Sequence, residues 1–370
     1  LRVLIVADKF KGTLTAEQAA AAIAHGWSSI RREDIVETLP MADGGDGFGA
    51  VLGHLLDAEP RSCATVDCAG RARNATWWFA PRTKTAIIEA AEVNGLRLLP
   101  PGRYHPFNLD TTGLGALLRA AISAEANRIF VGLGGSATND GGFGLARSIG
   151  WVFLDSNGNE LRRWTALTNL VRLDPPLHGI LTGQELVIAV DVTNKLLGPR
   201  GATRIYGPQK GLRDAELEQS EACLSQLASV SGATCERDYA AEAGAGAAGG
   251  LGFAMRAFCG GQFRPGARVF AELADLERRI TAAQLVITAE GCFDEQSLMG
   301  KGVGHVAELA ALAQRPCLCL PAVSRIDPRC LPWSQFEVHS IVPTIADVTH
   351  AKRYTTDCLR QLAARVAALR

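Results

Sequence analysis

The chain has 370 residues, 47% of them hydrophobic and 21% charged, with 38 basic against 38 acidic side chains and no net charge. That length exceeds what one hydrophobic core usually supports, so two domains are expected, and the composition argues against long disorder. Zero net charge gives no reason to expect nucleic acid or an anionic membrane as partner, and no run approaches the roughly 18 apolar residues of a membrane helix.

Leu1-Arg-Val-Leu-Ile-Val6 reads as a first strand, too short for a signal peptide. Thr15-Ala-Glu-Gln18 is a capping box that opens an alanine-rich helix to about Ser28. Ile35–Leu39 is a second strand, followed by glycines and a helix to about Leu56. Thr65 to Glu89 holds β-rich runs, Thr76–Phe79 and Thr85–Glu89, between Arg/Gly turns, as in a mixed or antiparallel sheet. A helix from about Gly113 to Glu125, the strand Arg128–Val131, a glycine-rich loop, and strands at Trp151–Asp155 and Leu186–Val190 follow. The tract Ala243–Gly250 reads as a close-approach loop entering a helix. Near the end, strand Leu285–Thr288, a helix at about Gly304–Ala313, strands Cys317–Leu320 and His339–Val342, and a C-terminal helix repeat a βαβ theme. The fold class predicted is α/β with two α/β domains. One is a Rossmann- or flavodoxin-like parallel sheet built from both termini, residues 1–60 and 282–370. The other is an inserted domain, residues 61–281, with a mixed sheet. Ten cysteines show neither a C-x-x-C pair nor zinc-ligand spacing, so free thiols in a reducing, cytoplasmic setting are expected.

The chemistry is concentrated in polar, glycine-containing segments that follow predicted strands, where open α/β sheets place their ligands. Gly132-Leu-Gly-Gly-Ser-Ala-Thr-Asn-Asp-Gly-Gly142 has little side-chain bulk, so its amides can approach an anion while its hydroxyls and Asp140 suit phosphate or a metal ion. Asp8-Lys-Phe-Lys-Gly12 offers Lys9 and Lys11 to an anionic ligand. In Met41-Ala-Asp-Gly-Gly-Asp-Gly47, Asp43 and Asp46 suit Mg²⁺ or a hydroxyl. Asp191 and Asn194, then Gln209 and Lys210, close another strand's loop, and Glu290, Asp294, Ser297 and Lys301 another.

No G-x-x-x-x-G-K-[ST], H-R-D, D-F-G or G-x-S-x-G occurs, which excludes P-loop, protein-kinase and serine-hydrolase plans. Carboxylates, lysines and glycine amides remain, and phosphoryl transfer uses that set because it needs positioning and charge neutralisation. One rival is a nicotinamide-dependent oxidoreductase: Gly132-x-Gly134-x-x-Ala137 matches a dinucleotide fingerprint, with Asp155 about 20 residues on as the ribose acid. Against it, glycines and Asp140 make a poor first helical turn. A non-catalytic phosphometabolite-binding protein is the other rival.

Together the segments resemble the bacterial ATP-dependent glycerate kinase family over nearly the whole chain. Asp8–Gly12, Met41–Gly47, Gly132–Gly142, Asp191-Val-Thr-Asn194, Gly207-Pro-Gln-Lys-Gly211, Gly246–Gly252 and Glu290 to Lys301 occur in the family's order. The chain departs from the family's usual residues with Asp46 for Glu, Lys195 for Pro, Ala289 for Gly and Ser297 for Thr. The resemblance implies transfer of the ATP γ-phosphoryl group to D-glycerate with Mg²⁺, in a cleft between two α/β domains. On it, Asp191 or Asp43 is the general base, with Lys9 also catalytic, and Asp140, Glu290 and Asp294 meet Mg²⁺ or its water shell. Lys9, Lys11, Lys210 and Lys301 neutralise phosphates or the substrate carboxylate, and the Gly134, Gly135 and Ser136 amides cradle phosphate. Asp46, Thr138, Asn139, Asn194, Gln209 and Ser297 complete the binding set; a homodimer is left open.

Overall fold

Every position from Val3 to Ala7 is buried, on both faces of the strand Arg2–Ala7. The computed structural model, which describes residues 1–298, 302–327 and 330–370, accounts for this by pairing. The strand lies between Leu285–Ala289 and Ile35–Pro40, and Cys317–Cys319 and Phe336–Val338 complete a five-stranded, wholly parallel sheet. Counted in chain order within this sheet, the strands run 2-1-3-4-5, a doubly wound arrangement whose inner strands must be apolar on both sides. This unit comprises Leu1–Asp43 and Ala267–Arg370.

Helix Ala16–Ile30 opens with the expected capping box: Thr15 accepts from the Gln18 amide, and the Gln18 side chain accepts from the Thr15 amide. Its Ala19, Ala20, Ile23 and Trp27 pack with Leu359, Leu362 and Val366 of helix Thr355–Ala367. A β-carbon on Gly26 would lie 2.1 Å from the Arg360 carbonyl oxygen, so the two backbones meet where only glycine fits. The strand expected at His339–Val342 is instead Phe336–Val338, and Ile341–Thr344 is a helical turn. The Ile341 and Val342 amides bond the Pro321 and Ala322 carbonyls, beyond the end of strand Cys317–Cys319, and Pro343 has no N–H with which to continue a ladder.

The second unit is Gly44–Gly266. Its six-stranded sheet runs Gln262–Arg264, Glu185–Ala189, Arg128–Gly132, Thr85–Glu89, Ala72–Ala80, Glu59–Val66, with four parallel strands and an antiparallel hairpin at the last edge. Asp67 closes that hairpin by accepting from the Ala69 and Arg71 amides. The limits at Asp43/Gly44 and Gly266/Ala267 differ from those expected near 60 and 282. Helix Phe48–Leu55 goes with the second unit because Gly49 and Gly53 let it lie against the Trp78 ring, and because Glu89 accepts from the Gly47 and Gly49 amides. Helix Leu276–Ala282 goes with the first, against helix Val303–Leu312 and strand Arg2–Ala7.

Val152–Leu154 pairs with Arg172–Asp174 in a separate two-stranded sheet, and Leu154 also bridges Glu160. All ten cysteines are free thiols, and the Cys317–Cys319 strand is buried throughout. Among the described residues no helix is long and apolar enough to cross a membrane.

The Gly26 contact is with backbone that has no rotamer by which to yield. Gly26→Ala should therefore cost roughly 1–3 kcal/mol, read as a lower urea midpoint; an unchanged midpoint would contradict the close helix approach.

Candidate active site

Glycines in the loop after strand Arg128–Gly132 are set by close approaches. A β-carbon on Gly134 would fall 2.3 Å from Gly45 Cα, and one on Gly135, at φ +77°, 2.4 Å from an Asp46 carboxylate oxygen. The loop is therefore pressed against the turn at 44–46. Its other side is held by Asn94, whose carbonyl accepts from the Ala137 amide at 2.7 Å, and by Leu96, whose amide donates to Gly135 at 2.9 Å. The Gly134 amide donates to the Gly44 carbonyl, so it is not a phosphate donor as expected. No bond from the Gly135 or Ser136 amide occurs among the described residues.

Asp140 is fully buried. Its Oδ2 accepts from the Thr111 amide (2.9 Å), the Thr111 hydroxyl (2.8 Å) and the Gly144 amide (3.0 Å), and its Oδ1 from the Gly142 amide (3.2 Å). Burial, with Asp110 adding, pushes this carboxyl up to about 6, while the Gly144 amide and the Thr111 hydroxyl and amide oppose the rise. At neutral pH the anion predominates. Both oxygens are engaged within the protein, so Asp140 ties the loop to Thr111. Asn139 also turns inward, its Nδ2 donating to the Thr203 and Ser220 hydroxyls, and Thr138 is buried.

Lys210 ends helix Ala202–Lys210, where Gly211 supplies the left-handed cap. Its ammonium donates to the Ser136 hydroxyl at 2.9 Å and the Thr138 carbonyl at 2.6 Å. Burial pulls it down to about 7, against the pull of Asp140. Gln209 is exposed. Asp191 accepts from the Gly266 amide at the start of helix Gly266–Leu273. Asn194 was expected to bind a ligand, but its side chain is taken within the fold: Tyr206 donates to Oδ1 and Nδ2 donates to the Arg200 carbonyl. Its own carbonyl accepts from the Gly244 and Gly246 amides. Asp46 pairs with Arg97 at 3.2 Å.

The first unit gathers a second set at the carboxyl ends of strands Arg2–Ala7 and Leu285–Ala289. Lys9 Nζ lies 2.8 Å from Asp43 and 3.5 Å from Asp8. Burial pushes Asp8 up to about 6, Lys9 pulling it down and Asp43 pushing it further up. Glu290 is pushed up to about 8, by burial first and then by Asp8, Asp294 and Asp43, against a bond from Ser297. Its Oε1 has no partner among the described residues. Ser297 accepts from the Asp294 amide. Lys11 is exposed, and Lys301 lies outside the described residues. Among the described residues no three His, Cys, Asp or Glu side chains converge as a finished metal site.

Sequence reasoning left out Asp8, Thr111, Glu89 and Tyr206. Asp8 heads a motif whose lysines drew the attention, and Glu89 is a carboxylate closing an otherwise apolar, wholly buried strand. Thr111 and Tyr206 carried no such signal. The dinucleotide rival lacks its frame. Asp155 closes an exposed turn by accepting from the Asn157 and Asn159 amides, and the helix after the loop, Phe143–Ser148, leads to a strand outside the main sheet.

Two expectations follow. Asp140→Asn keeps one oxygen for the three donors at Oδ2 but sets its NH2 against the Gly142 amide, and should lose roughly 1–3 kcal/mol for that donor left without an acceptor; an unchanged urea midpoint at pH 7 would contradict this structural role. For Glu290, between its ordinary 4.5 and about 8 the unfolded chain releases a proton that the folded carboxyl keeps, so stability falls as pH rises through that window. Glu290→Gln removes this slope, and its Tm should gain on wild type progressively between those pH values. Parallel Tm profiles would overturn the assignment.

A family model described as the glycerate kinase family matches residues 3–370. The glycerate 2-kinase of Escherichia coli K12 is 35% identical over 324 residues, covering 86% of this chain and 84% of that protein. The glycerate kinase of Bacillus subtilis 168 is 32% identical, covering 100% and 97%. A crystal structure assigned as glycerate kinase 2 of Salmonella typhimurium LT2 superposes with a TM-score of 0.84 at 32% identity, covering 100% and 98%. With its sheets, loops and motif order matched end to end, this chain belongs to the glycerate kinase family.

Proposed function

We propose that the protein transfers the γ-phosphoryl group of ATP to a hydroxyl of D-glycerate, giving phosphoglycerate and ADP. The observation that carries the reading is the acid cluster of the first unit. The charges of Asp8, Asp294 and Asp43 all add to the burial that raises Glu290, which keeps its proton at neutral pH with one oxygen unpartnered among the described residues. Such a set fits Mg²⁺, which keeps several waters and takes one or two carboxylates together with substrate phosphates rather than a finished protein cage. Glu290 and Asp294 are the residues to hold it, and the bound cation would neutralise charge on the phosphoryl group.

ATP fits the second unit's loop, where the Gly135 and Ser136 amides and the Lys210 ammonium are suited to phosphate oxygens. The accepting hydroxyl gives its proton to a carboxylate as its oxygen bonds phosphorus and the bond to ADP breaks. Asp43, oriented by Lys9, and Asp191, oriented by the Gly266 amide, are the two bases that fit. The reading also carries a cytoplasmic location, supported by ten free thiols.

Purified protein should release ADP only when ATP, Mg²⁺ and D-glycerate are all present, and phosphorus NMR of the product identifies which hydroxyl was used. Asp43→Asn or Asp191→Asn, whichever removes the base, should lower kcat by about 10²–10⁴, with the other variant affected much less. ADP release that is absent, or independent of glycerate, would sink the proposal.

A further inference from the structure

Asn94 stands apart from the other polar groups of the second unit. Its backbone is fully engaged: the amide donates to the Ala90 carbonyl at 2.8 Å, and the carbonyl accepts from Ala137 at 2.7 Å. Its side chain is fully buried, yet among the described residues neither Nδ2 nor Oδ1 has a hydrogen-bond partner. A carboxamide brings two donors and two lone pairs into the fold, and leaving all of them unmet is among the more costly things a buried side chain can do. A position that needed only to be filled would be better served by leucine.

Its place in the fold says what the amide is for. Asn94 lies just beyond strand Thr85–Glu89, at the carboxyl end of the parallel part of the sheet, where ligands of such sheets bind. It is bonded directly to the loop that Lys210 grips through Ser136 and Thr138. Two more polar groups of that loop, the Thr138 hydroxyl and Asn139 Oδ1, also lack partners among the described residues. The shortage is therefore shared by one neighbourhood.

We propose that Asn94 is a specificity-determining residue that contacts the acceptor substrate, its carboxamide taking the vicinal hydroxyl and carboxylate of an α-hydroxy acid. The inference rests on the kinase reading for the identity of that acid. Nδ2 donates to a carboxylate oxygen while Oδ1 accepts from the neighbouring hydroxyl, so both ends of the amide are met at once. A phosphate group, which only accepts when fully ionised, would leave Oδ1 unmet. Because the amide is buried, contact requires the Ser136–Thr138 loop to shift, and the bonds holding it to this segment are the Ala137–Asn94 and Leu96–Gly135 pair.

The test compares wild type with Asn94→Leu, close in shape but apolar, by steady-state kinetics with D-glycerate and ATP varied separately, and by the rise in Tm that D-glycerate causes. The expected result is a glycerate KM raised roughly tenfold to a hundredfold, an ATP KM within about twofold of wild type, a lost glycerate-induced Tm rise, and an unliganded Tm no lower than wild type. An unchanged glycerate KM, or glycerate and ATP KM values rising together, would overturn it. If Asn94→Leu does not fold, Asn94→Ser, which keeps one donor and one acceptor, must show a smaller selective rise in glycerate KM; equal KM values overturn the proposal. Wild-type turnover judges the kinase reading by itself, whereas the Tm response to glycerate judges Asn94 without turnover. A wild-type protein whose Tm does not respond to glycerate overturns the Asn94 proposal.

Discussion

The second unit depends on one buried charge. Moving a carboxylate out of water costs several kcal/mol, and only a full set of donors makes that tolerable. Asp140 has such a set, drawn from Thr111 on one side and from Gly142 and Gly144 on the other. Because those donors come from segments about thirty residues apart in sequence, the carboxylate fixes where the loop begins its helix and where the chain before helix Leu114–Ser123 must lie. Ser136, Thr138 and Lys210 are placed relative to it. Charge-assisted bonds of about 1.5–3 kcal/mol each roughly offset the desolvation, so the network contributes conformational specificity more than net stability.

The first unit treats its acids in the opposite way. Glu290 is also largely buried, but it has few donors and acidic neighbours, and its response is to keep its proton. Asp140, with four donors, is pushed only to about 6, and Glu290, with one oxygen unpartnered, reaches about 8. The comparison separates two uses of a buried carboxylate. A carboxylate satisfied from within holds the fold. One left unsatisfied among like charges is poised to respond to a cation.

Much of the architecture is legible in the sequence, because parallel strands buried on both faces must read as unbroken apolar runs, as Val3–Ala7 and Leu285–Ala289 do. The Thr15 capping box is equally direct, since its two partners are three residues apart. The candidate loops are legible as groups of glycines and acids, and their order carries the family. What the sequence does not reveal is direction. Nothing in Asn139-Asp140 says that both side chains turn inward, since the groups they meet, Thr111, Thr203 and Ser220, are remote in the chain. Asn194 looks like a ligand until Tyr206 and Arg200 are seen to occupy it. The spacing from Gly132 to Asp155 imitates a dinucleotide fold because spacing does not encode which sheet the next strand joins.

Backbone strain gathers in the same neighbourhood. Ala248, Gly249 and Gly250 have positive φ in succession, at 55°, 70° and 89°. At Gly249 a β-carbon would lie 2.0 Å from the Thr138 carbonyl oxygen and 2.9 Å from the Lys210 ammonium. Glycine answers the crowding at two of the three positions, but Ala248 holds a left-handed conformation that costs an L-residue roughly 1–2 kcal/mol. Its neighbour Gly249 accepts from the Gly141 amide, next to Asp140, so the strained turn also meets the loop. One short loop thus meets a buried anion, the Lys210 ammonium and a left-handed turn, while the Asn94 amide and the Thr138 hydroxyl go unmet among the described residues. Packing alone would relieve both the strain and the unmet groups by substituting smaller or apolar residues. Strain and unmet polar groups together are what a site organised around a polar ligand requires.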